Sequence, residues 1–168
     1  TSGVFSLDGE DFDVDNNVWI VGDDAEVVVV DAAHEAGRIL DAVAGRRVVA
    51  IVCTHAHNDH VNAVQELVAA TGAPVRLHPD DTMLWDVVNE GVPFAPLADG
   101  DTVEVAGAAL RVLHTPGHAP GAVCLYSQAL GVLLSGDTLF HGGPGAGISP
   151  LHRRRRSRMS SRTMVVRT

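Results

Sequence analysis

Four potential metal ligands stand within six positions of one short segment, T-H-A-H-N-D-H: His55, His57, Asp59 and His60. An apolar, β-like run of residues 48–53 precedes them, and a strand directs alternate side chains to one face. We therefore expect His55, His57 and Asp59 to converge on one point. His60, just beyond the strand, can turn toward a second point nearby. Imidazole and carboxylate ligands suit zinc, iron or manganese, so the segment predicts a metal site; a solvated loop rich in histidine is the competing interpretation.

Two segments further along the chain each carry one more potential ligand after a strand-like run. The segment T-P-G-H-A-P-G has His118 at its centre, and the segment S-G-D-T-L-F contains Asp137. Loops that a rigid sheet positions are where ligands are normally placed. Considered alone, His118 is typical of a turn histidine and Asp137 of a residue that caps the next element.

These three segments, in this order, resemble the motifs of metallo-β-lactamase-fold hydrolases. The closest resemblance is to the glyoxalase II-like (hydroxyacylglutathione hydrolase-like) branch, which hydrolyses thioesters of small thiols. The resemblance extends from about Val18 to Gly145. It implies an α/β (α+β) chain folded as an αββα four-layer sandwich, with a two-metal site at one edge of the sheets.

The resemblance also implies a ligand set, with two zinc ions per chain. His55, His57 and His118 would hold the first metal. Asp59 and His60 would hold the second, and Asp137 would bridge the pair. Asp59 is in addition the expected catalytic residue, because its loss should slow turnover far more than it weakens substrate binding.

A metal site of this kind makes a side-chain nucleophile unnecessary. A bound metal lowers the pKa of water from about 16 toward roughly 7, so hydroxide is available to attack a thioester or an ester. Neither Cys53 nor Cys124 lies in a motif, and each is surrounded by apolar residues. We interpret both as small buried side chains and expect a zinc-dependent hydrolase acting on a small-molecule thioester or ester.

The sequence departs from the family at the last ligand. The second metal of the family usually has one more histidine, from a G-H-G-like turn near the C-terminus. Only His141 and His152 follow Asp137, and neither is predicted to be that ligand. A single zinc ion per chain is therefore the alternative to two.

The charge distribution divides the chain. All 21 acidic residues lie at or before Asp137 together with five arginines, whereas the other seven arginines lie between Arg153 and Arg167. The family resemblance also stops near Ala146, and it therefore implies a metallo-β-lactamase-like domain over residues 1–146, followed by an atypical Arg-rich tail over residues 147–168. An out-of-frame or truncated end is favoured over an evolved basic arm, which predicts a missing or altered C-terminal strand and helix. Loss of that helix would expose an apolar sheet face and invite pairing with another chain.

The remaining pattern alternates strands and helices, as in α/β proteins. Strands are predicted over residues 17–21, 26–30, 75–77, 102–105, 109–113, 122–127 and 131–135, and helices over residues 34–44, 62–70 and 80–89. Asp31 has two equally favoured interpretations. The resemblance makes it a carboxylate that supports the metal ligands, whereas its position also suits a cap of the helix that follows.

Composition restricts the partners and the compartment. No run of 18 apolar residues is present, so we expect neither a membrane span nor a signal peptide. Two unpaired cysteines are compatible with a cytoplasmic protein. The acidic domain disfavours nucleic acid as a partner, and nothing in the sequence selects an oligomeric state.

Two other functions stay open. An iron-dependent sulfur dioxygenase of a related branch would use only His55, His118 and Asp137, a facial triad that leaves positions for oxygen and substrate. A catalytically impaired metal-binding protein, with the Arg-rich tail docking an acidic partner, is the other. The substrate is expected to differ from a glutathione thioester, because glyoxalase II takes the basic residues for the glutathione carboxylates largely from its C-terminal part.

Overall fold

The computed structural model describes residues 1–7 and 10–145. The predicted Arg-rich tail, and the C-terminal strand and helix expected to be missing or altered, lie outside these residues. The strands are β1 (Ser2–Leu7), β2 (Glu10–Asp15), β3 (Trp19–Gly22), β4 (Glu26–Val30), β5 (Arg47–Val52), β6 (Val75–Leu77), β7 (Phe94–Pro96), β8 (Thr102–Val105), β9 (Ala108–His114), β10 (Val123–Ser127), β11 (Val132–Leu134), β12 (Leu139–Phe140) and β13 (Gly143–Pro144). The α-helices are α1 (Ala36–Val43), α2 (Asn58–Val61), α3 (Val64–Thr71) and α4 (Thr82–Asn89).

The first main sheet has five strands in the order β3-β4-β5-β6-β7. Strands β4 to β7 pair in parallel, and β3 is antiparallel to β4. The β-branched run Val27–Val30 is fully buried, as expected for a strand covered on both faces. This sheet carries the metal-ligand segment at the end of β5.

Helices cover one face of the first sheet, and a second sheet covers the other. Ile39 of α1, Leu67 of α3 and Trp85 of α4 share a core with Val27 and Val29. The second sheet is antiparallel in the order β11-β10-β9-β8, and its apolar side chains meet the opposite face of β4 and β5. The described residues thus form three layers, helix on sheet on sheet, and the α/β class is confirmed. The fourth, helical layer was expected after Gly145, outside the described residues.

One prediction about the ligand segment is wrong. Strand β5 ends at Val52, so His55 and His57 lie in a loop, and Asp59 and His60 lie on the short helix α2. The side chains of the segment therefore do not alternate as on a strand. The chain leaves the sheet because its backbone bonds to side chains instead: Thr54 N–H donates to Asp31 Oδ1, at 2.7 Å.

Gly136 brings the second sheet against the ligand loop. Its backbone has φ +48°, and an added Cβ would overlap Thr54 Oγ1 and lie 2.8 Å from Thr54 Cβ. We expect Gly136→Ala to lower the free energy of unfolding by about 1–3 kcal/mol, from backbone strain and overpacking. Urea denaturation measures this. Gly37→Ala in α1, where a Cβ meets nothing within 4 Å, is the control and should stabilise or leave stability unchanged; equal effects of both changes would contradict the prediction.

Within the described part of the chain, no helix is long and apolar enough to cross a membrane.

Candidate metal centre

The six predicted ligands meet where the two main sheets adjoin. The first sheet contributes His55 and His57 from the loop after β5, and Asp59 and His60 from α2. The second sheet contributes His118 from the loop between β9 and β10, and Asp137 from a 3-10 turn after β11. Segments far apart in sequence therefore supply one site, as the order of the three motifs predicted.

Three imidazoles form the first group of candidate ligands. Ligand nitrogens of His55, His57 and His118 all lie within 4.8 Å of one another. The rings stand nearly perpendicular, with centroids 4.7–4.9 Å apart and interplanar angles of 82–88°. Nδ1 of His57 and Nε2 of His118 are 2.9 Å apart. Three nitrogens at such distances suit one ion with metal–nitrogen bonds of about 2.0–2.1 Å.

A second group shares His55 with the first. It consists of His55, His60 and Asp137, whose ligand atoms also lie within 4.8 Å of one another. Asp137 Oδ1 is 3.2 Å from His60 Nε2, and Asp137 Oδ2 is 3.4 Å from His118 Nε2. One oxygen therefore faces each group, which is the arrangement that a bridging carboxylate needs.

Asp59 lies at the edge of the second group. Its Oδ2 is 3.8 Å from His60 Nε2 and accepts a hydrogen bond from Asn16 Nδ2, at 3.0 Å. The structure thus brings all six predicted residues together, although Asp59 belongs to neither of the two close groups.

Two buried nitrogens fit a metal. Nε2 of His55 and Nε2 of His60 have no hydrogen-bond partner among the described residues, although both side chains are almost fully buried. The contact of His60 with Asp137 is an ion pair without hydrogen-bond geometry. Burying a polar atom without a hydrogen-bond partner destabilises a protein by about 1–3 kcal/mol. Two such atoms in one cluster therefore indicate that a ligand binds there. A set of imidazoles and carboxylates fits zinc or iron.

The pKa values of His55 and His57 are shifted in the opposite direction from that of His60. Burial lowers the pKa of His55 well below its ordinary value, and burial with the nearby His118 lowers the pKa of His57 to about 4. Both are therefore neutral at pH 7, the form that binds a metal. Burial acts to lower the pKa of His60, but Asp137 and Asp31 outweigh it and raise that pKa well above the ordinary value. Burial acts to raise the pKa of Asp137, and His60 outweighs it and lowers that pKa.

Asp31 supports the ligands and does not cap a helix. Its Oδ2 accepts from Thr54 Oγ1 at 2.8 Å and lies 3.1 Å from Nδ1 of His60. Because Nδ1 of His60 donates to this carboxylate, Nε2 is the nitrogen directed at the site. Helix α1 begins only at Ala36, with Glu35 at its N-cap. Of the two interpretations of Asp31, the structure therefore favours the one that the resemblance implied.

A hydrogen-bonded chain behind Asp59 was not predicted. Asn62 Nδ2 lies 3.1 Å from His34 Nδ1, and His34 Nε2 lies 3.0 Å from Asn16 Oδ1. Since an amide oxygen only accepts, His34 Nε2 donates to Asn16, and the amide of Asn16 then donates to Asp59. His34, where the predicted helix over residues 34–44 begins, lies before α1 (Ala36–Val43) and belongs to this chain of hydrogen bonds instead. No local pattern could have revealed the chain, because its members lie up to 46 positions apart and contact only in the fold.

A further group of potential ligands does not form a convergent site. His78, Asp80 and His114 have ligand atoms within 4.8 Å, but the two rings are stacked at 3.9 Å with planes only 13° apart. Lone pairs in parallel planes do not meet at one ion. His78 Nδ1 accepts from Asp80 N–H, and His114 Nε2 donates to Pro120 O. Both rings are therefore hydrogen-bonded to the backbone.

The histidines after Asp137 stay outside both groups as far as the structure describes them. His141 is exposed and belongs to neither group, and His152 lies outside the described residues. The last ligand of the family is therefore not found between residues 138 and 145.

Comparison with known proteins assigns the family. The model of the Metallo-beta-lactamase superfamily matches residues 12–167. The chain belongs to this superfamily. The match includes most of the predicted tail, so the division at residue 146 stays a prediction.

Two relatives indicate the branch within the superfamily. The chain is 38% identical over 135 residues to a hydroxyacylglutathione hydrolase of Methylobacillus flagellatus, covering 78% of this chain and 50% of the relative. It is 36% identical over 143 residues to an uncharacterized protein of Aquifex aeolicus, covering 77% of this chain and 68% of the relative. The chain thus spans half to about two thirds of the length of these relatives.

Solved structures agree with this branch and with the fold. TTHA1623 in a di-iron-bound form has a TM-score of 0.69 at 34% identity, covering 80% of this chain and 73% of that one. ETHE1 from Myxococcus xanthus has a TM-score of 0.61 at 26% identity, covering 73% and 52%. The metallo-β-lactamase fold and the glyoxalase II-like branch, both predicted from the three motifs, are confirmed.

Proposed function

We propose that this chain is a metal-dependent hydrolase that cleaves a thioester, or an ester, of a small thiol. The observation that carries the proposal is a pair of buried nitrogens without a hydrogen-bond partner, Nε2 of His55 and Nε2 of His60, beside a carboxylate that faces both ligand groups. Membership of the superfamily and similarity to a hydroxyacylglutathione hydrolase support it.

His55, His57 and His118 would hold one metal ion, Asp59 and His60 would hold a second, and Asp137 would be a ligand of both. When bound, such a metal polarises a carbonyl oxygen and makes hydroxide available near neutral pH. We propose zinc, and iron is the alternative.

The chain's own residues then set the direction of attack. His55 and His60 are buried at the base of the cluster, whereas His118 and Asp137 keep 17% and 19% of their side-chain surface exposed. A substrate carbonyl therefore approaches from the side of His118 and Asp137. Asp59, held in place by the amide of Asn16, is the carboxylate placed to accept a proton from the attacking water.

No cysteine competes for the role of nucleophile in the described part of the chain. Cys53 and Cys124 are both buried, and burial raises the pKa of the Cys53 thiol well above its ordinary value. A Cys53 thiolate is therefore not available at neutral pH, and Cys124 is buried away from solvent.

The contacts of the arginines favour a thiol without carboxylates. Arg38 pairs with Glu35, Arg47 pairs with Glu26, and Arg46 donates to backbone oxygens. These contacts engage Arg38, Arg46 and Arg47 away from the metal cluster. We therefore propose a thioester of a small thiol other than glutathione.

Metal content and thioester cleavage test the proposal together. Protein purified without added metal is assayed by elemental analysis, and hydrolysis is followed as released thiol, using acyl thioesters of N-acetylcysteamine and of glutathione. We expect one to two zinc ions per chain, cleavage of the neutral thioester, and retention of both in the exposed control His141→Ala. A metal-loaded chain without turnover, or a chain that takes up no metal, would refute the hydrolase. One iron per chain with oxygen consumption on a thiol substrate would establish the sulfur dioxygenase instead.

A further inference from the structure

We propose that Asp81 is a positioning residue that holds together the two loops carrying the first group of metal ligands. This inference rests on the proposed metal binding at His55, His57 and His118, and it requires no particular substrate. Asp81 is completely buried, yet its carboxylate forms no ion pair with a basic side chain of the described residues. Both of its oxygens are instead directed at backbone amides of the ligand loops.

The first of these amides belongs to the loop after β5. Asp81 Oδ2 accepts a hydrogen bond from Ala56 N–H at 2.9 Å. Ala56 stands between His55 and His57, so fixing its amide orients the backbone on which both imidazoles are mounted.

The second amide belongs to the loop between β9 and β10. Asp81 Oδ1 accepts from Gly121 N–H at 2.6 Å. Gly121 follows His118 by three positions in the same loop. One carboxylate thus connects a loop of the first sheet with a loop of the second, and the nitrogens of His57 and His118 lie 2.9 Å apart across that junction.

Packing at Gly121 shows how closely this connection is built. A Cβ added at Gly121 would lie 2.8 Å from Asp81 Cγ and 2.9 Å from Asp81 N, so only glycine lets the loop approach the carboxylate. Asp81 also occupies the N-cap position of α4 but makes no side-chain capping bond to that helix. Its carboxylate therefore serves the two ligand loops and not its own helix. Hydrogen bonds from amides to a charged acceptor are roughly twice as strong as neutral ones.

The consequence for metal binding is selective. Loss of the carboxylate frees Ala56 and Gly121, and His57 and His118 are no longer held at a fixed separation. The second group keeps its own support, because Asp31 still bonds to Thr54 and His60. Removing the hydrogen-bond partner that orients a ligand typically weakens metal affinity by about 10- to 100-fold.

The test is a zinc competition titration of the metal-free full chain against a chromogenic chelator. The variants are Asp81→Asn, which preserves side-chain volume, and Asp81→Ala, with the neighbouring exposed Asp80→Ala as the matched control. His57→Ala and Asp59→Ala identify which titration step belongs to which group. We expect Asp81→Asn to weaken the step assigned to the first group by about 10- to 100-fold. The other step should weaken less, because the second group shares only His55 with the loop that Asp81 holds, and Asp80→Ala should change neither step.

Amide proton shifts supply a readout that does not depend on affinity. In Asp81→Asn, the Gly121 amide proton should move upfield as its short hydrogen bond to the carboxylate weakens. A folded Asp81→Asn with wild-type zinc affinity, or with both steps weakened equally, would overturn the positioning role. If the wild-type chain itself binds no zinc, the proposed function fails, and that outcome is distinguishable because it does not involve Asp81. If Asp81→Ala fails to fold, Asp81→Asn alone tests the positioning role of Asp81.

Discussion

Replacing His55 by alanine is expected to remove metal from both ligand groups and to reduce hydrolysis to the background rate. His55 is the one described residue that belongs to both groups, and its ring contacts His57, His60 and His118. Loss of a residue that merely orients a ligand costs about 10- to 100-fold in affinity, so loss of a shared ligand should exceed about 100-fold at each group. Elemental analysis and a zinc competition titration measure the effect.

His141→Ala is the control for this change. His141 is an exposed histidine outside both groups, and its loss should leave metal content and hydrolysis unchanged. If His55→Ala retained bound zinc and hydrolysis together, the metal mechanism would be wrong. If it lost metal but kept hydrolysis, another group of the chain would perform the reaction.

Asp31→Ala is expected to lower the free energy of unfolding of the metal-free chain by about 3–5 kcal/mol, the usual loss when one partner of a buried pair is removed. Asp31 is 2% exposed, and its carboxylate serves Thr54 N, Thr54 Oγ1 and His60 Nδ1. Alanine leaves Thr54 N and His60 Nδ1 without this partner, and Thr54 Oγ1 keeps only its hydrogen bond with His55 Nδ1. It must also adopt the left-handed backbone of Asp31, at φ +57°, which aspartate and asparagine tolerate better.

Asp31→Asn separates the causes of that loss. Asparagine retains the backbone tolerance and one acceptor oxygen, but its amide nitrogen cannot accept from His60, so a smaller loss of about 1–3 kcal/mol is expected. Asp41→Ala, on the exposed surface of α1, should stay within about 0.5 kcal/mol of the wild type. Urea denaturation at pH 7 compares the three variants. A loss below about 1 kcal/mol for Asp31→Ala would mean that water satisfies these groups and that the cluster is open.

The sequence was most informative where one physical requirement dominated. Strand β4 was predicted over residues 26–30, as observed, because a run of valines with both faces buried has few alternatives. A helix was predicted over residues 62–70, and α3 ends close by, where Gly72 occupies the C-cap with φ +67°, a conformation that glycine adopts readily. The ligand set was predictable because three motifs in a fixed order carry the resemblance, whatever the local secondary structure.

The strands and the helix whose positions are not fixed by one dominant requirement, such as burial of both faces, were not predicted. Strand β2 was missed because four of its six residues are acidic, and aspartate and glutamate are depleted in strands, although Asp11 to Asp15 alternates polar and apolar side chains. Strand β1, its partner in the hairpin, was missed with it. Strand β7 contains Pro96, which is compatible with a strand only because β7 lies at the edge of the sheet. Helix α2 has four residues, too few for a helical period to appear.

The residues that support the metal ligands could not be predicted from the sequence either. The acidic pair Asp80 and Asp81 was interpreted as the start of a helix, and both do lie where α4 begins. One is exposed, and the other is buried between two loops. Only the fold distinguishes them, because the partners of Asp81 lie 25 and 40 positions away along the chain.

The position of the site where the two sheets adjoin has a consequence for how the protein folds. An unfolded chain can offer an ion only the neighbouring side chains of residues 55–60, because His118 and Asp137 are about 60 and 80 positions away. The full coordination shell exists only after the second sheet has docked on the first. Metal should therefore slow unfolding more than it speeds folding, since ligands that assemble after the transition state act on the unfolding rate. Chelation of a folded sample would then appear first as a shorter lifetime of the native state.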